Sequence, residues 1–423
     1  MNNLKKLKKN LINLIITSII PFLIWGPFFP DLIISVSALL FLYYVFKNKK
    51  FFYFLNIPLI GFFIFCVYCI LISIFMSKDT MLSFESSLFY FRVGIFACFV
   101  WYLIDKDKSI LTFFYYVLIT CFLILVIDGY IQYFTGKNLV GYKIIDNRIS
   151  SFFGDELVIG SYLSRLFPLL FALFLIKKKH KFEIYLIGLL FILVDILIYM
   201  SGERSSFFFL NLSTLFIIIL IKEYQKFRLI TFAIAICCIY FLSLNSSEFS
   251  DRMFKEPARN MGFINSSEIE DTKNRPSIIF SPNHDSLIRT SFNMFKDQPL
   301  FGHGPKMFRV ICKNEKYATG INPCMTHPHN FYVQLLAETG IVGFLFLFSI
   351  LLFLFFTTLK QLKSIIFNQK RPLSDYQVCL LGAILISVWP FSPNGNFFNN
   401  WLMIVYSLPV GFYLQSIYSK KNK

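Results

Sequence analysis

IPLIGFFIFCVYCILISIFM, from Ile57 to Met76, is a run of twenty residues without a single charge. About 20 apolar residues are needed to cross a lipid bilayer as a helix, so this run has the character of a membrane span. The rest of the chain is similar, because 56% of its 423 residues are hydrophobic and only 15% are charged. Soluble domains carry roughly 25% charged residues and disordered chains have low hydrophobicity, so the composition disfavours both classes.

Twelve apolar runs of this kind follow one another along the chain. They predict an all-α polytopic membrane protein with about 12 transmembrane helices and one large outer, periplasmic loop. The second and eleventh runs are short enough that an interfacial or re-entrant helix is an alternative for each. The runs are Leu11–Phe29, Leu32–Phe46, Ile57–Met76, Leu88–Ile104, Leu111–Phe134, Leu157–Ile176, Phe182–Met200, Phe207–Ile221, Leu229–Leu244, Asn330–Thr358, Tyr376–Trp389 and Phe397–Tyr413.

Lysine and arginine are concentrated in every second connection between the runs, together with both chain ends. The positive-inside rule therefore predicts that the N- and C-termini are cytoplasmic. The net charge of +17 is mainly this topology signal and does not indicate nucleic-acid binding. The predicted order is transmembrane helices 1–9 in residues 1–245, the large periplasmic loop in 246–328, and helices 10–12 with a cytoplasmic tail in 329–423.

Four of the five histidines lie in or directly after the large loop: His284, His303, His327 and His329. Histidine is the side chain that titrates most readily near neutral pH, so the clustering indicates chemistry on the outer face. The alternative is that histidine simply avoids helices that face lipid.

The same loop holds Cys312 and Cys324, whereas the other seven cysteines lie inside apolar runs as small buried side chains. In an oxidising compartment the two loop cysteines can form a disulfide. A rival interpretation joins Cys324, His327 and His329 as metal ligands, although no fourth ligand is evident. We expect the disulfide and no metal.

The tenth run begins with an unusual sequence, in which Pro328 separates His327 from His329 and Asn330 follows. Asn330 is predicted to cap the helix, whose first turn presents free N–H groups. A neutral imidazole at this boundary can accept a proton from a hydroxyl group. The alternative is that both histidines cap the helix and face lipid headgroups.

Three arginines lie in predicted outer segments: Arg148, Arg204 and Arg289. If they converge on one cavity, their guanidinium groups can bind a pyrophosphate through paired hydrogen bonds. The alternatives are an ion pair of Arg289 with Asp285 one turn away, and of Arg204 with Glu203. Charged residues inside apolar runs are costly and also indicate function. They are Arg92, Asp128, Arg165, Asp195 and the Glu203–Arg204 pair.

Four short motifs together resemble a known family. They are GHG at 302–304, THPHNFYVQLLAETGIVG at 326–343, RISSFFG at 148–154 and SGERSS at 201–206. With the twelve-run layout they resemble O-antigen ligases and the related Wzy-type O-antigen polymerases. The third motif has a serine where the family has glycine, and Glu203 and Ser205 depart from the family pattern in the fourth.

The resemblance implies a metal-independent membrane glycosyltransferase without a cofactor, which acts in lipopolysaccharide biosynthesis in the cell envelope. Its location would be the bacterial cytoplasmic (inner) membrane. Its donor would be a glycan on undecaprenyl pyrophosphate, and its acceptor a sugar hydroxyl on lipid A–core. Carried over to this chain, His329 would activate the acceptor with support from His327. Arg204 and Arg289 would bind the pyrophosphate, with Arg148 in support.

Other functions remain open at this point. A Wzy-type polysaccharide polymerase and a protein O-glycosylating ligase share the motifs and differ in their acceptors. A polysaccharide flippase or transporter also has about a dozen helices with buried charges. Transporters, however, tend to carry internal repeats with interrupted helices, and the sequence has no clear repeat.

Overall fold

The computed structural model describes residues 2–177, 180–261, 263 and 281–419. Over these ranges the chain forms nineteen α-helices and no β-strand, so the predicted all-α class is confirmed. The middle of the predicted outer loop, residues 264–280, and the last four residues of the predicted tail lie outside the described residues.

The helices follow the apolar runs closely. The first eight are α1 (Asn2–Thr17), α2 (Ile19–Trp25), α3 (Phe28–Lys47), α4 (Phe51–Phe54), α5 (Ile57–Phe75), α6 (Thr80–Leu88), α7 (Phe91–Lys106) and α8 (Ser109–Thr135). The next six are α9 (Ile159–Ile176), α10 (Lys181–Met200), α11 (Arg204–Leu220), α12 (Gln225–Asn245), α13 (Ser247–Ser250) and α14 (Glu256–Asn260). The last five are α15 (Pro282–Asp297), α16 (Phe308–Ile311), α17 (Phe331–Ile366), α18 (Asp375–Ser387) and α19 (Asn400–Tyr418).

Nine helical segments of the described chain are long and apolar enough to cross a membrane. Three shorter apolar helices, Asn10–Trp25, Arg204–Leu220 and Asp375–Ser387, accompany them. Each of the twelve predicted runs coincides with one of these segments, and the protein is a polytopic membrane protein. The second run is part of the 20-residue α3, which is long enough to span, whereas the eleventh forms only the 13-residue α18. Twelve complete crossings therefore stay a prediction.

Helix α9 is the centre of the helical bundle. Its apolar window is 83% buried, whereas the windows of the other eight candidate spans are 22–67% buried. It packs against α8, α10, α11, α18 and α19. The end of α9 that contains Ser161 and Arg165 carries polar side chains into the middle of the protein, and this placement matters for the site below.

Helix α17 is interrupted at Gly340, where φ is 63° and ψ is −164°. The Pro-Leu-Phe-Gly-His-Gly segment at 299–304 lies against this interruption. Three backbone hydrogen bonds of 2.7–3.2 Å join residues 299–304 to residues 337–341. The two motifs therefore form one structural unit, because the opened helix turn supplies hydrogen-bonding groups that a regular helix would use internally.

Replacing Gly340 with alanine should destabilise this unit. A Cβ atom at Gly340 would lie 2.3 Å from the carbonyl oxygen of Leu300, and the positive φ is strained for any residue with a side chain. We expect Gly340→Ala to cost about 1–3 kcal/mol, measured as a lower melting temperature in detergent.

Gly61→Ala is the matched control, because a Cβ atom at Gly61 on α5 would have no neighbour within 4 Å. We expect its stability to equal or slightly exceed that of the wild type. Equal stability of both variants would contradict the role assigned to Gly340.

Candidate active site

A cavity of about 1820 Å³ lies among the loops at one end of the helical bundle. Four of the five catalytic and anion-binding residues predicted from the sequence line it: Arg148, Arg204, His327 and His329. These residues come from two different connections and the start of α11. The fifth, Arg289, is not among the residues that line the cavity.

The turn that carries His329 is held on both sides. The residue has a φ of 56°, which is uncommon for a residue with a side chain. Its carbonyl oxygen accepts a hydrogen bond from the backbone amide of Asn394, at 2.7 Å. The next residue, Asn330, caps α17 as predicted, since its Oδ1 accepts two first-turn amides at 3.0 and 3.1 Å. Its Nδ2 donates to the carbonyl oxygen of Pro390, at 2.8 Å. The segment between α18 and α19 therefore positions the histidine turn.

Three imidazole rings meet at the cavity wall. The ring centroids of His327 and His329 are 4.1 Å apart, and those of His284 and His329 are 5.5 Å apart. His284 lies in the first turn of α15, where its Nδ1 is 2.7 Å from the hydroxyl of Ser281. The histidine clustering in the sequence therefore contained a real signal for His284, although only its two partners were assigned a role.

The surroundings keep these rings neutral. Burial lowers the pKa of His284 to about 4, and the nearby His329 and Arg204 add to this effect. Burial likewise lowers the pKa of His327 to about 3. Burial also lowers the pKa of His329, against a hydrogen bond with the backbone of Asn394 that raises it. An imidazole that is neutral at physiological pH has a free lone pair and can act as a base.

Three arginines surround the backbone at Gly202, the residue between α10 and α11. Arg148 donates from Nε to the carbonyl oxygen of Ser201, at 3.0 Å, and Arg252 donates from Nε to that of Gly202, at 3.2 Å. Arg204 in turn donates from Nε to the carbonyl oxygen of Arg252, at 2.8 Å. Gly202 has a φ of 68°, which is strained for a residue with a side chain, and a Cβ atom there would lie 2.6 Å from the Arg252 Nε, so glycine suits this position.

The two carboxylates near these arginines have different roles. Arg204 forms an ion pair with Glu256 on α14. Glu203 instead binds the first turn of α9, because its carboxylate accepts hydrogen bonds from the amides of Gly160 at 2.6 Å and Ser161 at 2.9 Å. Burial raises the pKa of Glu203 to about 7, against several hydrogen bonds that lower it. The neighbouring-residue ion pair considered for Arg204 is therefore not formed.

Arg289 forms the ion pair that was the alternative to pyrophosphate binding in the sequence analysis. Its Nε is 2.6 Å from the Asp285 carboxylate, one turn earlier on α15, and its side chain is 43% exposed. Of the three arginines predicted to converge, Arg148 and Arg204 lie together and Arg289 does not. Arg252, which was not predicted, lies beside Arg148 and Arg204. The sequence carried no signal for Arg252, because it lies in a loop segment rich in charges of both signs.

The other motif histidine, His303, does not line the cavity. Its Nε2 is 3.0 Å from the carbonyl oxygen of Met294, and its loop supports the interruption of α17. Cys312 and Cys324 form a disulfide, with Cα atoms 5.1 Å apart. The Cys324 sulfur is therefore bonded to Cys312 and is not a free thiolate ligand for a metal. Among the residues the structure describes, no group of three or more His, Cys, Asp or Glu side chains could hold a metal ion.

Comparison with known proteins bears on the segment that carries this site. Residues 187–348 match the family model described as O-antigen ligase. The matched segment contains Arg204, Arg289, His327 and His329, while Arg148 precedes it. The resemblance to the O-antigen ligase superfamily is confirmed over this segment. No curated protein matches the sequence.

The histidine cluster should make stability depend on pH. The pKa of His284 is about 4 in the folded protein, against about 6.5 for a free imidazole, so protons bind the unfolded chain more readily. The stability due to the neutral ring is complete above about pH 6.5 and is lost as the pH falls towards 4. When the pH is lowered from about 7 to about 5, the melting temperature of His284→Gln should fall by roughly 2–4 °C less than that of the wild type.

The exposed His180, at the start of α10, provides the control. The melting temperature of His180→Gln should fall with pH in parallel with that of the wild type. A parallel fall for His284→Gln as well would contradict the inferred burial of this ring.

Proposed function

Because residues 187–348 match the O-antigen ligase family model, we propose that the chain transfers a glycan at the outer face of the bacterial cytoplasmic membrane. The donor is an oligo- or polysaccharide on undecaprenyl diphosphate, and the acceptor is a sugar hydroxyl on lipid A–core. One observation carries the proposal, namely that His329, Arg204 and Arg148 line the same cavity. Such a transfer needs a base for the acceptor and cations for the leaving group in one place.

His329 is the proposed base. The acceptor hydroxyl oxygen attacks the anomeric carbon of the donor sugar, and the bond from that carbon to the diphosphate oxygen breaks. The hydroxyl proton passes to the neutral imidazole, and undecaprenyl diphosphate leaves with the bonding electrons. The lowered pKa of His329 supports this role, because the ring is neutral before the reaction. His327 is in a supporting position, because its ring centroid is 4.1 Å from that of His329 and burial keeps its own imidazole neutral through a lowered pKa.

The arginines at Gly202 are the proposed binding group for the diphosphate. Negative charge accumulates on the leaving oxygen as the glycosidic bond breaks, so fixed cations lower the barrier most effectively at that point. Arg148 and Arg252 are held by hydrogen bonds to backbone carbonyl groups. Arg204 is held by its ion pair with Glu256. A guanidinium group restrained in this way loses little further entropy when it binds phosphate.

The location of the cavity agrees with this proposal. Its lining residues Arg148, Arg252, His284, His329 and Asn394 all belong to connections that the charge distribution assigns to the outer side. Cytoplasmic termini would put the site at the leaflet where lipid-linked glycans are joined.

His329→Ala should abolish glycan transfer, because removal of a general base costs about 10²–10⁴-fold in rate. The measurement is transfer of a lipid-linked glycan in proteoliposomes at matched protein abundance. His180→Ala, an exposed histidine remote from the cavity lining, should leave transfer unchanged. Normal transfer by His329→Ala would overturn the assignment of the base.

The acceptor is tested by the surface glycan of a deletion strain. For a ligase we expect loss of all polymer on the lipid A–core, with recovery on expression of the wild type but not of His329→Ala. A core that carries a single repeat unit would instead identify the enzyme as a polymerase.

Arg204→Lys should weaken donor binding by about tenfold or more, because an ammonium group cannot replace the two-pronged hydrogen bonding of guanidinium to phosphate. Arg289→Lys is the matched comparison, and we expect a smaller effect since Arg289 is outside the cavity lining. The measurement is the affinity of the purified protein for undecaprenyl diphosphate. A larger loss for Arg289→Lys would show that the donor binds along α15 instead.

A further inference from the structure

Most charged side chains inside the apolar helices have partners within the protein. Arg92 forms an ion pair with Asp31. Arg228 forms one with Asp195 at 2.8 Å, with both side chains almost completely buried. Asp128, at the outer half of α8, accepts hydrogen bonds from a backbone amide and two side chains of the following loop. These charges stabilise helix packing and the outer loop, so they need no ligand.

Arg165 on α9 is different. Its side chain is buried, with the residue only 4% exposed, and no carboxylate of the described residues lies within ion-pairing distance. Its Nη2 donates to Oδ1 of Asn394 at 2.9 Å and its Nε donates to the hydroxyl of Ser161 at 3.3 Å. The guanidinium carbon lies 4.7 Å from the ring centroid of Phe209 and 5.1 Å from that of Tyr406.

These contacts orient the guanidinium group without neutralising it. Aromatic rings attract a cation, and the amide and hydroxyl oxygens accept its hydrogen bonds, but none of them carries a net negative charge. Among the described residues, the third nitrogen, Nη1, has no hydrogen bond of good geometry, although the guanidinium group as a whole interacts with the neutral hydroxyl of Tyr406. A buried charge at membrane depth is costly unless an opposite charge or water compensates it. No described residue supplies an opposite charge, so the compensation comes from water or from an anionic ligand.

The cavity is where such a charge can be supplied. Arg165 lines it, as does Asn396, whose buried Nδ2 also has no hydrogen-bond partner. Arg165 is linked to the proposed base through one residue, because Asn394 accepts its Nη2 hydrogen bond and donates its own amide to His329. The open donor on Arg165 therefore lies beside the reaction centre, on a helix different from those that carry the arginines at Gly202.

We propose that Arg165 and Asn396 form a second anion subsite, which binds a phosphoryl oxygen of a substrate. This inference rests on the proposed function, because it assumes that phosphate-bearing substrates occupy the cavity. A guanidinium group with one fixed orientation and a neighbouring amide donor suits a phosphoryl oxygen, which accepts several hydrogen bonds. The phosphate belongs either to the diphosphate of the donor or to a phosphate group on the acceptor.

Binding of inorganic pyrophosphate and inorganic phosphate to the purified full-length protein tests the subsite by calorimetry. We expect Arg165→Met to weaken pyrophosphate binding about tenfold or more if the donor occupies the subsite. We expect an equal loss for inorganic phosphate if a separate phosphate group occupies it. Unchanged affinity for both anions would overturn the proposal, whereas failure of the wild type to transfer glycan would overturn only the proposed function.

Thermal stability separates a ligand-binding arginine from a structural one. Arg165→Met removes an uncompensated charge and keeps an apolar chain between the two rings, so its melting temperature should equal or exceed that of the wild type. Arg228→Met is the matched control, and its melting temperature should fall by several degrees because Asp195 is left buried and unpaired. A comparable fall for Arg165→Met would identify Arg165 as a packing residue and overturn the subsite.

Discussion

The hydrogen bond from the Asn394 amide to the His329 carbonyl oxygen joins the two irregular segments on which the candidate site depends. One segment leads into α17, and the other connects the short helix α18 to α19. The left-handed backbone of His329 is costly for a residue with a side chain, so the surrounding contacts must hold it in place. The cap by Asn330 and its contact with Pro390 supply that restraint. The imidazole is thus presented by a strained turn rather than by a regular helix.

A membrane protein can keep irregular backbone and unpaired charge at membrane depth only where they are buried in protein or line a hydrated cavity. This constraint explains where the buried charged side chains lie in the protein. Arg228 and Asp195 neutralise each other within the bundle, whereas Arg165 lies at the cavity wall with no carboxylate of the described residues paired to it. The short helix α11 begins at the cavity with Arg204, and its preceding carboxylate binds the start of α9. The same arrangement therefore stabilises the bundle and leaves cations available for an anionic ligand.

Much of the architecture could be predicted from the sequence, because hydrophobic length alone identifies membrane helices. The cap at Asn330 was also predictable, since capping depends on residues close together in the chain. The composition of the site was less so. Arg252 approaches the cavity through tertiary packing, which no local pattern reveals. The histidine clustering indicated His284 but not its place beside His329. The resemblance assigns Arg289 to the diphosphate, but a carboxylate one turn away on its own helix binds it, and only the structure decides between those partners.

The role of the GHG motif at 302–304 and of Gly340 also became clear only from the structure. Glycines in the turn at 299–305 are compatible with a backbone that approaches either a ligand or another segment. Gly302 and Gly340 allow a loop and an opened helix turn to pack together, with a Cβ atom at Gly302 falling 2.5 Å from the backbone of Glu338. A spacing rule cannot tell a ligand from another chain segment, because both require the same absence of a side chain.

The central claim is that a neutral histidine and a group of arginines share one substrate cavity. The most direct measurement is a cryo-electron microscopy structure of the protein with undecaprenyl diphosphate bound. The account predicts diphosphate density within hydrogen-bonding distance of Arg204 and Arg148, with the terminal phosphate, which bears the sugar in the donor, directed towards His329. Density along the exposed face of α15 at Arg289, with the cavity unchanged, would contradict it.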